Sequence, residues 1–204
     1  MTSNSYCCAF KLILFTVIIS IVITDISSDV KYLRQQYNAG KNEANQIIIQ
    51  YQDKRIHDED LLKKADTQIA PHVQINLKTD PKMPFFTLLM VDPDAPQRGN
   101  EIAGPWLHWI KASFKENYVN SGTTLADYQG PTPPDGTGPH QYIFLLYKSA
   151  TDEIVFDSGT IGVNDSKKRK QFQLQKFEKN NNLKLIAATS FIVKAKEINK
   201  HENL

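Results

Sequence analysis

The sequence predicts a mainly β protein, an antiparallel β-sandwich with small peripheral helices. Three observations carry that expectation. Short apolar or alternating runs recur along the chain, too short for typical helices. Ten prolines and nine glycines punctuate them. Only one segment, late in the chain, has a strong helical pattern.

Taken in order, Ile47–Tyr51 (IIIQY) is a β-branched run that reads as a strand, and Val73–Leu77 alternates apolar and polar residues like a half-buried one. Between them, His57–Asp66 is charged and loop-like. Phe85–Val91 is apolar at every position except Thr87, which suits a central strand. Trp106–Phe114 and Tyr142–Tyr147 are further strands, Ile154–Phe156 is a short one ending in an Asp-Ser-Gly turn, and Ala187–Val193 is the last. The helix is expected over Lys167–Asn181, with Asp165 or Ser166 at its start. Its basic run, Lys167–Lys170, reads as a solvated first turn, with contact to acidic lipid as the alternative.

The first 28 residues are set apart. Ala9–Ile23 is almost wholly apolar, with small residues at Ser27 and Ser28. This reads as a secretory signal peptide cleaved near Ser28, with a retained membrane anchor as the alternative; about 15 apolar residues is short of the roughly 20 a span needs. Export would make the protein secreted and place Asn164-Asp165-Ser166 where it can be glycosylated. Both cysteines, Cys7 and Cys8, fall in this segment, so the mature chain has no disulfide and no thiol chemistry. Residues 29–46 form a polar leader or short helix, with Tyr32, Leu33 and Tyr37 near helical spacing, ahead of a domain over 47–204.

The net charge is +2, and no nucleic-acid partner is expected. The residues that carry chemistry sit at strand ends. VDPDAP (Val91–Pro96) places two carboxylates beyond a buried strand, and its prolines stiffen the loop. Residues two apart on an extended chain share a side, so Asp92 and Asp94 are expected in one pocket, as are Trp106 with His108 and His140 with Tyr142. A carboxylate accepting from one histidine ring nitrogen fixes its tautomer and raises its pKa. Such a mixture of donors and acceptors suits a small zwitterion or phosphomonoester. The loop Gly130–Pro139 is not a Walker loop, since GxxxxGK[ST] is absent and its prolines remove amide donors.

FTLLMVDPDAP, WLHW and YQGPTPPDGTGPHQYIFLLY closely resemble the two signature regions of the phosphatidylethanolamine-binding protein (PEBP) family, and the resemblance extends over about residues 47–196. It implies two antiparallel sheets with a Greek-key core and a small surface pocket for phosphate-like head groups. By motif matching the pocket would be lined by Asp92, Asp94, His108, Pro133, His140 and Tyr142, with Gly130–Pro134 as one wall. The chain departs from the family pattern at Gln97, Leu107 and Gln141 and in its tail. Three functions are open: a secreted, non-enzymatic binder of phosphorylated head groups with no cofactor, an enzyme using the Asp and His residues, and a protease inhibitor acting through protein contact.

Overall fold

The computed structural model describes residues 28–41, 44–77 and 80–197. The proposed signal peptide lies almost wholly outside the described residues. The described residues open with a helix, α1, over 28–40, and continue through β1 (Gln46–Tyr51), β2 (Lys54–Ile56), β3 (Asp60–Leu62), β4 (His72–Asn76), β5 (Phe85–Asp92), β6 (Trp106–Lys115), β7 (Thr123–Ala126) and β8 (Pro139–Ser149). Two short helices, α2 (Ser166–Arg169) and α3 (Leu174–Asn180), precede the last strand, β9 (Lys184–Lys194).

The strands form two sheets. One has the order β2-β1-β4, the other β3-β9-β8-β5-β6-β7. All pairings within them are antiparallel except β3 with β9. The larger sheet is covered on both sides, which explains the unbroken apolar runs of β5 and β8. Phe86, Leu88 and Met90 with Tyr142, Phe144 and Leu146 face the small sheet, where Ile47, Ile49, Val73 and Ile75 meet them. Leu89, Val91, Ile143, Leu145 and Tyr147 point the other way, onto Leu33 and Tyr37 of α1 and onto Phe172, Leu174 and Phe177.

Helix α1 buries Val30, Leu33, Tyr37 and Gly40, spaced to line one stripe. It is tied across the molecule by the buried Glu178 of α3, which accepts from the hydroxyls of Tyr32 and Tyr147. At its end, Gly40 lies so close to β9 that a Cβ there would stand 2.6 Å from Ala188 Cβ and 2.9 Å from Ala188 N. Strand backbone does not yield to such a contact. Gly40→Val is therefore expected to cost about 1–3 kcal/mol, the usual cost of overpacking. Urea unfolding measures it; an unchanged midpoint would mean that α1 is not docked on β9.

Three sequence expectations change. Ile154–Phe156 is not a strand, because Asn181 takes the place of a neighbour: its side chain accepts from Val155 N and donates to Val155 O. The single helix over Lys167–Asn181 is two. The chain turns at Gln171, with φ of 55°, and donates from the Gln171 and Phe172 amides to Ala103 O and Pro105 O. Asp165 stands at the start of α2 without capping it, its carboxylate taking the Gly162 amide instead. Within the charged stretch His57–Asp66, β3 forms because β9 offers it an edge.

Candidate functional site

The site arises where β5 ends. Its two neighbours in the sheet, β6 and β8, run antiparallel to it, so its last residues abut their first ones: Asp92 pairs with Trp106 and Val91 with Ile143. This brings the three motif segments together. His108 is the extra residue of a β-bulge, since Met90 pairs with Trp109 and Val91 with Leu107. A bulge bends the strand and re-aims a side chain. Here it also frees the His108 carbonyl, which accepts from the amide of Gln129.

A cavity of about 300 Å³ lies at this junction. Asp92, Trp106, His108, Pro133, His140 and Tyr142 all line it, beside Gln129 and Ser166. Asp94 does not, which corrects the expectation that both carboxylates share the pocket. The same-side rule holds for extended chain, and this loop turns: the Asp94 amide donates to Asp92 Oδ1 (2.6 Å), an Asx turn. Two cis prolyl bonds, Ala95–Pro96 and Gly104–Pro105, frame the loop. Asp94 is fully buried and held from behind. Arg98 meets it with two bonds (3.0 and 2.9 Å), Arg34 of α1 with one (2.7 Å), and the Gln141 amide with another (2.8 Å). Burial would raise its pKa, but Arg98, the Gln141 amide and Arg34 together hold it below the usual aspartate value.

Asp92 and His140 form a buried pair, with His140 Nδ1 donating to Asp92 Oδ2 at 2.8 Å. The Thr137 hydroxyl donates its one proton to Pro134 O (2.7 Å), so towards His140 Nε2, 3.0 Å away, it is an acceptor. This arrangement favours protons on both His140 nitrogens, the imidazolium form. Burial opposes this, but hydrogen bonding to Asp92 and its charge raise the His140 pKa. Burial likewise pushes Asp92 up, against the bonds it receives.

His108 has the opposite character. Its Nδ1 lies 2.6 Å from the Gln129 carbonyl, which only accepts, so Nδ1 holds the proton and Nε2 has the lone pair. Burial, the Arg169 charge and the His140 charge push its pKa down to about 4, against the Gln129 bond. Its ring stands edge-on to Tyr142, 5.1 Å between centroids. The Tyr142 hydroxyl has no hydrogen-bond partner among the described residues and is available to a ligand. Trp106 Nε1 is already engaged, donating to Gln129 Oε1 at 2.8 Å.

The neutral His108 makes stability depend on pH. As pH falls below 6.5 the unfolded histidine takes a proton while the folded one stays neutral until about 4. Stability is thus present above 6.5 and is lost progressively down to about 4, by about 3 kcal/mol at roughly 1.4 kcal/mol per pH unit. His108→Gln should flatten this part of a pH series of urea midpoints. An identical slope in that variant would show that His108 is not the group responsible.

One residue behind the cavity was hidden in the sequence. Arg169, in the run expected to be a solvated turn, is fully buried. Its guanidinium donates to Leu107 O (3.0 Å), His108 O (3.1 Å), Asp127 O (2.8 Å) and Gly162 O (2.9 Å), while Nε has no partner. Burial lowers its pKa and nearby Asp127 and Asp165 raise it, yet among the described residues no carboxylate makes an ion pair with it. An arginine stays charged under these conditions. The only sequence signal is that it is the one arginine among lysines, and only a guanidinium has enough donors to staple four carbonyls. Asn164, the glycosylation candidate, is exposed beside the cavity residue Ser166.

A two-sheet β fold with a polar cavity at the junction of its central strands defines the class of protein to which this chain is compared. The chain belongs to the phosphatidylethanolamine-binding protein family, whose model matches residues 52–191. A Drosophila melanogaster protein that carries an odorant-binding protein name (A5) is 30% identical over 111 residues, 54% of this chain and 52% of that protein; the chain thus spans about half the length of this curated relative. Among solved structures, a carboxypeptidase Y inhibitor, captured with its cognate proteinase, has a TM-score of 0.66 at 24% identity, covering 85% of this chain and 96% of its own. A phosphatidylethanolamine-binding protein from Plasmodium vivax has a TM-score of 0.62 at 21% identity, covering 74% and 86%.

Proposed function

We propose that the protein is a non-enzymatic binder of phosphorylated head groups, phosphatidylethanolamine or a phosphate-like anion, held in the cavity beside the Asp92–His140 pair. One observation carries the reading: the charges that line the cavity, Asp92 and His140, cancel, while the buried cation Arg169 lies behind His108. The balance favours an anion. Tyr142 donates to a phosphoryl oxygen, and Nε2 of His108 accepts from a singly protonated phosphate or takes up a proton with a dianion. An ethanolamine ammonium would find the Asp92 carboxylate. The apolar Ala9–Ile23 stretch supports a secreted setting, in which extracellular lipid or free phosphorylated metabolites are the source.

Calorimetry of the mature protein with phosphoethanolamine and with inorganic phosphate tests this. Binding should be accompanied by proton uptake and should tighten as pH falls from 7 to 5, by at most tenfold per unit for one proton. It should be lost in His140→Ala and weakened in Tyr142→Phe. No heat of binding, or equal affinity in these variants, overturns the reading.

A second reading is protease inhibition, favoured by the fold shared with the carboxypeptidase Y inhibitor. Inhibition of an extracellular protease that survives in His140→Ala would place that activity on the protein surface, outside the cavity.

A further inference from the structure

A second concavity, about 280 Å³, lies on another face, between the loop at 155–158 and the helices α2 and α3. Its floor holds Phe156, Phe172 and Phe177, whose rings touch one another with centroids 5.7 to 6.4 Å apart. Phe172 and Phe177 are packed into the core and fixed in place, while Phe156 is half-buried and Val155 beside it is 57% exposed. The rim is cationic: Lys167, Lys168, Lys170 and Lys176 all line it, against one carboxylate, Asp157.

That carboxylate is taken. Lys176 pairs with Asp157 at 2.8 Å, and Lys168 donates to the Ser158 carbonyl at 3.2 Å. Among the described residues no ion pair engages Lys167 or Lys170. The buried Arg169 between them has turned inward, so the two lysines remain on the outside with the same concavity between them. Like charges gathered at one rim repel, and a bound anion relieves that repulsion. The groove is also preformed. Gln171 holds a positive φ, a conformation that residues other than glycine rarely adopt. It is kept there by its amide bond to Ala103 O and by that of Phe172 to Pro105 O.

We infer that this groove is a second binding site, for a small organic anion: a carboxylate, sulfate or phosphate ester on an aromatic or aliphatic body. The body lies on the phenylalanine floor and the anionic group sits between Lys167 and Lys170. Aromatic floor without lysines would select a neutral apolar ligand, and lysines without the floor would hold a bare ion. The volume is at the small end for a ligand site, which fits one ring system or a short chain better than a folded partner. The site is independent of the cavity beside His140.

The probe is 8-anilinonaphthalene-1-sulfonate, titrated into the mature protein by fluorescence and by amide NMR. Expected is saturable binding of one molecule that shifts the Phe172, Gln173 and Lys176 amides. The double variant Lys167→Glu/Lys170→Glu should weaken it at least tenfold with an unchanged melting temperature, and Lys167→Gln/Lys170→Gln should weaken it less. Neutral N-phenyl-1-naphthylamine and inorganic sulfate should each bind at least tenfold more weakly. The inference fails if the shifts fall instead on Tyr142 and His140, if the neutral naphthylamine binds as well, if sulfate alone binds as well, or if the glutamate variant binds undiminished.

Discussion

Asp92→Asn will lower stability by about 3–5 kcal/mol, the cost of leaving one member of a buried ion pair without its partner. Asp92 and His140 are both at least 97% buried, so water does not replace the lost carboxylate. Asparagine keeps the volume and can still accept from the Asp94 amide, so the effect is one of charge. The pH dependence identifies the cause. In the native protein the His140 pKa is raised above its unfolded value of 6.5. The pair's contribution is therefore fullest just below 6.5, fades as pH rises through the folded His140 pKa, and is lost again in acid, where Asp92, its own pKa raised by burial, takes up a proton. The gap between native and variant midpoints should accordingly be widest at about pH 6 and narrow on the alkaline side. A gap that is constant with pH would assign the loss to packing. Phosphoethanolamine affinity should fall together with stability, since the variant also loses the one carboxylate that lines the cavity among the described residues.

Arg169→Met should be comparably severe. It removes the donor to four backbone carbonyls that are shared among β6, the Asp127 segment and the Gly162 loop. His108 O keeps the Gln129 amide and Gly162 O that of Asp165; the buried acceptors that lose a donor cost about 1–3 kcal/mol each, for an expected total of about 3–4 kcal/mol. A purely structural staple would show only this loss. A charge behind His108 predicts more: the His108 pKa should rise from about 4 in Arg169→Met and stay low in Arg169→Lys, which keeps the cation but not the fork. Thermal melts and histidine titration by NMR separate the two effects. If His108 titrates identically in all three proteins, Arg169 does not act on the cavity through its charge.

These predictions concern residues that the sequence revealed to different degrees. Phe85–Val91 was readable as a central strand because burial on both faces leaves no polar alternation. Asp92, His108, His140 and Tyr142 were readable because each stands near the end of such a strand. Their partners were not. Arg34 reaches Asp94 from a helix 60 residues away, and Arg98 folds back on it only because the DPDAP loop turns. The turn, made by the Asp94 amide on Asp92, is what withdraws Asp94 from the cavity. Strands β3 and β7 have weak patterns of their own and exist because β9 and β6 offer edges. The break between α2 and α3 follows from bonds to Ala103 and Pro105 that no local pattern encodes. Arg169 looked like its lysine neighbours until the fold buried it.

The most direct measurement of the central claim is a long-range ¹⁵N–¹H spectrum of the histidine rings, with and without phosphoethanolamine, at neutral pH. Expected without ligand are an imidazolium at His140 and a neutral His108 protonated on Nδ1; with ligand, both rings should shift and His108 Nε2 should move to a hydrogen-bonded position. A neutral His140, or rings unmoved by saturating ligand, would contradict the account.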